Sequence, residues 1–153
     1  MKAKFFIVPM LILLTACGSS KQPAKKGWGT YGSPNVEQKL LNNETFVVEV
    51  YSDDITYGYT EENPIMVGAA GGSGPLNERR FLNALMGPDG EPITYRRIGS
   101  CCGFKTKNGL FDDGGFLDKY SVMHKGLEKE VILYINMYDS DVLKIPVGFK
   151  KKK

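Results

Sequence analysis

The stretch LNERRFLNALMGPDGEPITYRRI, residues 76–98, decides the fold class, because its side-chain period changes once and the change is punctuated. Leu76, Phe81, Leu82 and Leu85 recur at near-helical spacing, Ser73 or Asn77 stands where an N-cap belongs, and Gly87-Pro88 stops the run. Beyond the turn GPDGEP, residues 87–92, Ile93, Tyr95 and Arg97 alternate with Thr94, Arg96 and Ile98, which predicts a strand with mixed, exposed faces. No other stretch of the chain reads as a helix of the folded part.

Upstream of the helix, the glycines of GAAGGSGP, residues 68–75, mark a loop open to backbone angles closed to other residues. Before it lie a short strand at Ile65 to Val67 and a clear one in TFVVEVY, residues 45–51. After residue 98, Gly99 to Gly115 reads mostly as loop, and Leu117, Tyr120, Val122 and His124 mark a strand that turns at Lys125-Gly126. VILYINMY, residues 131–138, is the strongest strand, and Val142 to Val147 a last one ended by Pro146 or Gly148. Strands, one helix, then a run of strands argue α+β, with the helix packed on a mainly antiparallel β-meander sheet.

The first residues carry an address. Lys2 and Lys4 precede an apolar run from Phe5 to Leu14, broken only by Pro9, which is the charged and apolar pattern of an export signal. The run falls short of the about 20 apolar residues a spanning helix needs. Its end, Leu14-Thr15-Ala16-Cys17, resembles the bacterial lipobox position by position. That resemblance implies a diacylglyceryl thioether on Cys17, cleavage after Ala16 and acylation of the new amino group, typically with palmitate. Gly18 after the cysteine, rather than Asp, implies the outer membrane. Two or more chains make such an anchor durable, since each buried methylene contributes about 0.8 kcal/mol. The expected organisation is a lipoprotein signal peptide at 1–16, a lipidated N-terminus and flexible linker at 17–29, one α+β domain at 30–149 and a lysine tail at 150–153.

Charge follows the same division. The formal +3 of the whole chain falls to +1 without residues 1–16, and the span from Gly27 to Phe149 carries 11 basic against 17 acidic residues, a net −6. A basic face for nucleic acid is unsupported. Lys21, Lys25 and Lys26 in the linker and Lys150 to Lys153 in the tail suit solvation or contact with anionic headgroups.

Chemistry-bearing residues are few. With Cys17 lipidated, Cys101-Cys102 are the remaining thiols, and an oxidising compartment invites pairing. Adjacent Cα atoms lie only about 3.8 Å apart, so one reading is a strained, reducible vicinal bridge acting as a redox pair. The other is two small half-buried residues directed to opposite faces of a strand. His124 is the sole histidine, which excludes paired-histidine catalysis and histidine-rich metal sites. It reads as a partly exposed strand residue. No G-x-S-x-G nucleophile turn occurs, and no catalytic residue is assigned. Asp112-Asp113 sits in a glycine-rich loop without EF-hand spacing, so neither a metal nor a cofactor is expected. Arg79 and Arg80 on the helix with Arg96 and Arg97 on the next strand are candidates for an anion-binding patch, or for pairing with neighbouring carboxylates on a solvated face.

YGYTEENPIMVG, GPLNERRFLNALMGPDGEPITYRRIGSCCGFKT and the LYINMYD and LKIPVGF segments, together spanning about Tyr57 to Phe149, resemble a group of small Gram-negative envelope lipoproteins of undetermined role. Some members of that group carry the label 2-dehydro-3-deoxyphosphooctonate aldolase. The enzyme so named is a cytoplasmic (β/α)₈ barrel of a fold that typically needs about 250 residues. This chain of 153 residues lacks the alternating strand and helix pattern, and no catalytic residue carries over. The expected function is a non-catalytic binding or structural module at the membrane surface, anchored through Cys17 and docking on an envelope protein or glycan. The competing expectations are an envelope enzyme acting on a sugar or anionic substrate and a redox-responsive module built on Cys101-Cys102.

Overall fold

The computed structural model describes residues 36–69, 73–110 and 112–152. The leader, Cys17 and the linker lie outside the described residues, as does the centre of the 68–75 loop. The fold is α+β, with one helix and many strands in several sheets among the described residues.

The helix α1, Gly74–Leu82, opens with Pro75 in its first turn, where the missing N–H costs nothing. It ends at Leu82, and Leu85-Met86 form strand β5 (Leu85–Met86) instead of the last helical turn. The partner of β5 is β10 (Lys150–Lys151), antiparallel to it, so the lysine tail contributes a strand. A backbone ladder does not require apolar side chains, and buried Phe149 anchors the segment just before it. Asn77 is no cap: it is buried and donates through Nδ2 to the Gly68 carbonyl oxygen at 2.9 Å. Ser73 holds the N-cap position without a side-chain capping bond.

The TFVVEVY stretch divides. β2 (Thr45–Phe46) pairs antiparallel with β1 (Leu40–Asn42), whereas β3 (Val50–Tyr51) runs parallel to β9 (Lys144–Ile145). One β-rich segment thus bends to serve two small sheets. The main sheet has the order β4-β8-β7-β6, from β4 (Ile65–Met66), β6 (Ile93–Lys105), β7 (Gly114–His124) and β8 (Val131–Asn136). β6, β7 and β8 pair antiparallel in succession, and β4 adds on parallel to β8. Most of Gly99 to Gly115 is therefore strand rather than loop.

The main core fills the space between α1 and one face of this sheet. Phe81, Leu82, Val122, Leu133, Ile135 and Ile145 are all fully sealed there. A second, smaller cluster of Phe104, Leu117 and Tyr138 lies at the far end of the β6–β7 hairpin. Gly115 permits it: a Cβ there would stand 3.0 Å from the rings of both Phe104 and Tyr138. No helix among the described residues is long and apolar enough to cross a membrane.

Candidate functional site

The distal part of the β6–β7 hairpin and the polar groups that hold it gather most of the molecule's unusual chemistry. β8 pairs with β7 only from Asp118 to Val122, so residues 114–117 of β7 have β6 alone as neighbour. Two irregularities shape this part. Arg97 faces Tyr120 and Gly99 faces Lys119, leaving Ile98 as an extra residue; Cys101 faces Leu117 and Gly103 faces Phe116, leaving Cys102 as another. Each extra residue bends and twists the strand and spoils it as an edge for further pairing.

Cys101 and Cys102 are joined as a vicinal disulfide with Cα atoms 3.7 Å apart. Strand alternation would send neighbouring side chains to opposite faces, and the bulge removes that constraint. Cys102 takes the left-handed region at φ 57°, which turns its sulfur back toward Cys101. The pair is half-buried and packs on Phe104, Leu117 and Tyr138, with Tyr134 and Met137 alongside.

The hairpin tip is clipped to the end of β8 by Asp139, which is completely buried. Its Oδ1 accepts from Thr106 Oγ1 at 2.6 Å and from Asn108 Nδ2 at 2.9 Å, and its Oδ2 from Asn136 Nδ2 at 2.9 Å. Asn136 Oδ1 in turn accepts the backbone N–H groups of Tyr138 and Asp139. Both oxygens of the carboxylate thus meet donors, the condition under which a buried charge is tolerated.

At the root of the same hairpin stands a different acid cluster. Asp118, nearly buried, accepts a bidentate pair of bonds from Arg97, both at 2.7 Å, and a third from Ser100 Oγ at 2.7 Å. Behind it Glu78 of α1, fully buried, accepts from the Tyr120 hydroxyl at 2.9 Å, while its Oε1 meets no donor. Burial, and next the adjacent Asp118 carboxylate, push the Glu78 carboxyl up to about 8. At neutral pH Glu78 is therefore mostly the protonated acid, able to donate to Asp118. Burial and the Glu78 charge push the Tyr120 hydroxyl up as well, and the Asp118 bonds raise Arg97.

The four arginines of the expected anion patch do not converge. Arg96 and Arg97 point to opposite faces of β6, Arg97 to Asp118 and Arg96 to Glu130 at 3.0 Å. Arg80 donates to the Asn43 carbonyl oxygen and to Asn77 Oδ1, with its guanidinium 6.0 Å from the Phe46 ring centre. Arg79 is exposed on α1. Arg80, Arg96 and Arg97 are each drawn to a separate carbonyl or carboxylate acceptor, which keeps them apart. Arg80 also lines a cleft of about 290 Å³ between residues 36–40 and the start of α1, beside Gln38, Phe46, Asn77 and Tyr138.

His124 is the last residue of β7 and intermediate in exposure, as expected of a partly exposed strand residue. Its side chain is only 9% exposed, with Nδ1 2.8 Å from Glu91 Oε1 and 2.9 Å from the Lys125 carbonyl oxygen. The Phe149 ring meets it edge-on at 6.2 Å. Backbone N–H groups of Glu91 itself and of Asp89, and then His124, hold the Glu91 carboxyl below the usual range. The constellation lacks a nearby nucleophile among these contacts and reads as a clasp on the 87–92 turn. Asp112 and Asp113 both occupy left-handed turn positions, and no three His, Cys, Asp or Glu side chains converge as a metal set among the described residues.

The sequence assigned no site role to Glu78, Asp118 or Asp139, and Asp139, which beside Asp141 reads as a solvated turn residue, is in fact fully buried. A signal was present for two of them. Glu78 shares one helix face with Gly74, Asn77, Phe81 and Leu82, all buried, and Asn136, the partner of Asp139, interrupts an otherwise apolar run. Asp118 had none, because its alternation partners Tyr120 and Val122 mark only the face and not what lies opposite it.

No protein-family model, no curated protein and no solved structure matches the chain.

Proposed function

We propose that the chain is a lipid-anchored envelope lipoprotein, held at the outer membrane through Cys17, whose one α+β domain is carried on the linker at 17–29 and binds an envelope protein or glycan without catalysing a reaction. The observation that carries the reading is the run Leu14-Thr15-Ala16-Cys17 behind a short apolar leader. An anchor confines the domain to a surface and raises its effective concentration for neighbours, so that a modest contact suffices.

The distal hairpin is the end proposed for that contact. Leu110 is 68% and Phe116 60% exposed, large apolar side chains on a segment held at its root by Asp118 and at its tip by Asp139. A stiff, apolar-tipped hairpin loses little freedom on binding. The internal pairing of Arg96, Arg97 and Asp118 favours binding over turnover of an anionic substrate, since their charges are already satisfied.

The test is to crosslink intact cells making the tagged chain, purify it from solubilised envelope, and compare what co-purifies with a Cys17→Ala control. A discrete companion that disappears in the control supports the reading. Equal recovery from both, or a soluble wild-type chain with an unmodified Cys17, overturns it.

A further inference from the structure

We infer that Cys101–Cys102 is a thiol–disulfide exchange site for a small dithiol or dithiol protein, and that opening it releases the distal part of the β6–β7 hairpin. The inference builds on the reading of that part as the binding end, and supplies its regulation. Three observations converge on it.

The first is conformational. Cys102 is the bulged residue and holds φ 57°, a region that ordinary L-residues avoid. Once the bond to its neighbour is gone, nothing in the ladder keeps it there, because a bulged residue has no cross-strand partner.

The second is position. The bond sits between the root clamp, Ser100 to Asp118, and the tip clip, Thr106 to Asp139. It lies where β7 has only β6 beside it, so a change of backbone at Cys102 is not restrained by a third strand. It is half-buried, within reach of a reductant, yet its sulfurs also cover the small core of Phe104, Leu117 and Tyr138.

The third is electrostatic. Cys101 faces Leu117 across the ladder, and Lys119, two residues along β7, points to the same face. Diagonal neighbours of this kind have their Cβ atoms roughly 7 Å apart, within the span of a lysine side chain. Lys119 makes no ion pair among the described residues. Its ammonium favours a thiolate on Cys101, which makes Cys101 the better leaving group and Cys102 the sulfur attacked.

The step balances. A thiolate of the dithiol attacks the Cys102 sulfur, the S–S bond breaks, and its electron pair leaves on Cys101, which takes up a proton. The second thiol of the reductant, deprotonated, attacks the mixed disulfide, forming the reductant's own disulfide and expelling Cys102 as a thiolate that is then protonated. Two electrons and two protons pass from the reductant to the two cysteines.

The experiment treats the full chain, purified in detergent, with dithiothreitol under native conditions, then alkylates with iodoacetamide and follows mass and hydrogen exchange together. The expected result is no label on Cys101 and Cys102 before reductant and one on each after it. Faster exchange is expected across 99–105 and 114–117, and unchanged exchange across 131–136. Labels before reductant, labels only at denaturant concentrations that unfold the chain, or reduction with exchange unaltered would each overturn the inference. Lys119→Met should slow reduction several-fold and raise the pH at which Cys101 alkylates, while leaving the melting temperature nearly unchanged; an unaltered rate and pH profile removes Lys119 from the account. Exchange reports this switch, whereas crosslinking reports the binding reading, so either can fail alone.

Discussion

Glu78 and Asp139 are both sealed to 0% exposure, one at the root of the long hairpin and the other at its tip. Their surroundings are opposite. Asp139 receives three side-chain donors, from Thr106, Asn108 and Asn136. Glu78 receives one, from Tyr120, and lies beside a second carboxylate, Asp118, which takes the bonds of Arg97 and Ser100 for itself. Burial alone does not settle how a carboxyl is accommodated; the count and sign of the groups around it do. The tip therefore holds an acceptor that organises a loop, and the root a Glu78 carboxyl that keeps its proton at neutral pH.

The largest effect should come from emptying the tip. Asp139→Ala strands the donors of Thr106, Asn108 and Asn136 in a buried space, and is expected to lower stability by about 3 kcal/mol or more. Urea unfolding measures it, and a loss under about 1 kcal/mol would mean that the clip is dispensable. Glu78→Gln should behave in the contrary way, since an amide reproduces the protonated acid, accepting from Tyr120 and donating to Asp118.

The sign of the pH dependence follows from the direction of the Glu78 shift. Its carboxyl is pushed above the unfolded value of 4.5 to about 8, so the folded state holds a proton that the unfolded chain releases. The associated stability is full below about pH 4.5, falls as pH rises, and is lost above about pH 8. At about 1.4 kcal/mol for each unit of pKa, the total is a few kcal/mol. Urea unfolding at pH 5 and pH 9 should show that slope in the wild type and a much flatter one in Glu78→Gln, which becomes the more stable protein at pH 9. Parallel curves for the two would sink the description of Glu78 as a protonated acid.

Next in size is Arg97→Gln, which removes the bidentate partner of nearly buried Asp118 and should cost about 2 kcal/mol at pH 7, measured by urea unfolding. The smallest is Arg96→Gln. Its pair with Glu130 is exposed on both sides, 65% and 44%, so the loss should stay below about 1 kcal/mol and vanish in high salt. A loss as large as that of Arg97→Gln would erase the distinction between the two faces of β6.

The fold class was legible because residues 76–98 switch period at a Gly-Pro turn, and the helix and following strand both form there. The strand runs on to Lys105 because bulges at Ile98 and Cys102 let it twist past glycines that alternation reads as loop. Helical spacing assigned Leu85 to the helix, but its backbone is claimed by Lys151, far away in the chain, and local periodicity carries no trace of that pairing. The site was legible in part. The two cysteines stood out by type and adjacency, yet whether they meet depended on a backbone angle at Cys102. The acid pair stayed hidden because Glu78 and Asp118 are 40 residues apart and meet only when α1 is laid on β7.

The most direct test of the anchored-binding account is photo-crosslinking from the hairpin in cells, with Phe116→p-benzoylphenylalanine in the otherwise native chain and the same probe at Ile55, 74% exposed, for comparison. The account predicts one discrete adduct from position 116, weaker or absent from position 55, and lost when Cys17→Ala is added. Indistinguishable adducts from both positions, or a position-116 adduct that survives Cys17→Ala unchanged, would contradict it.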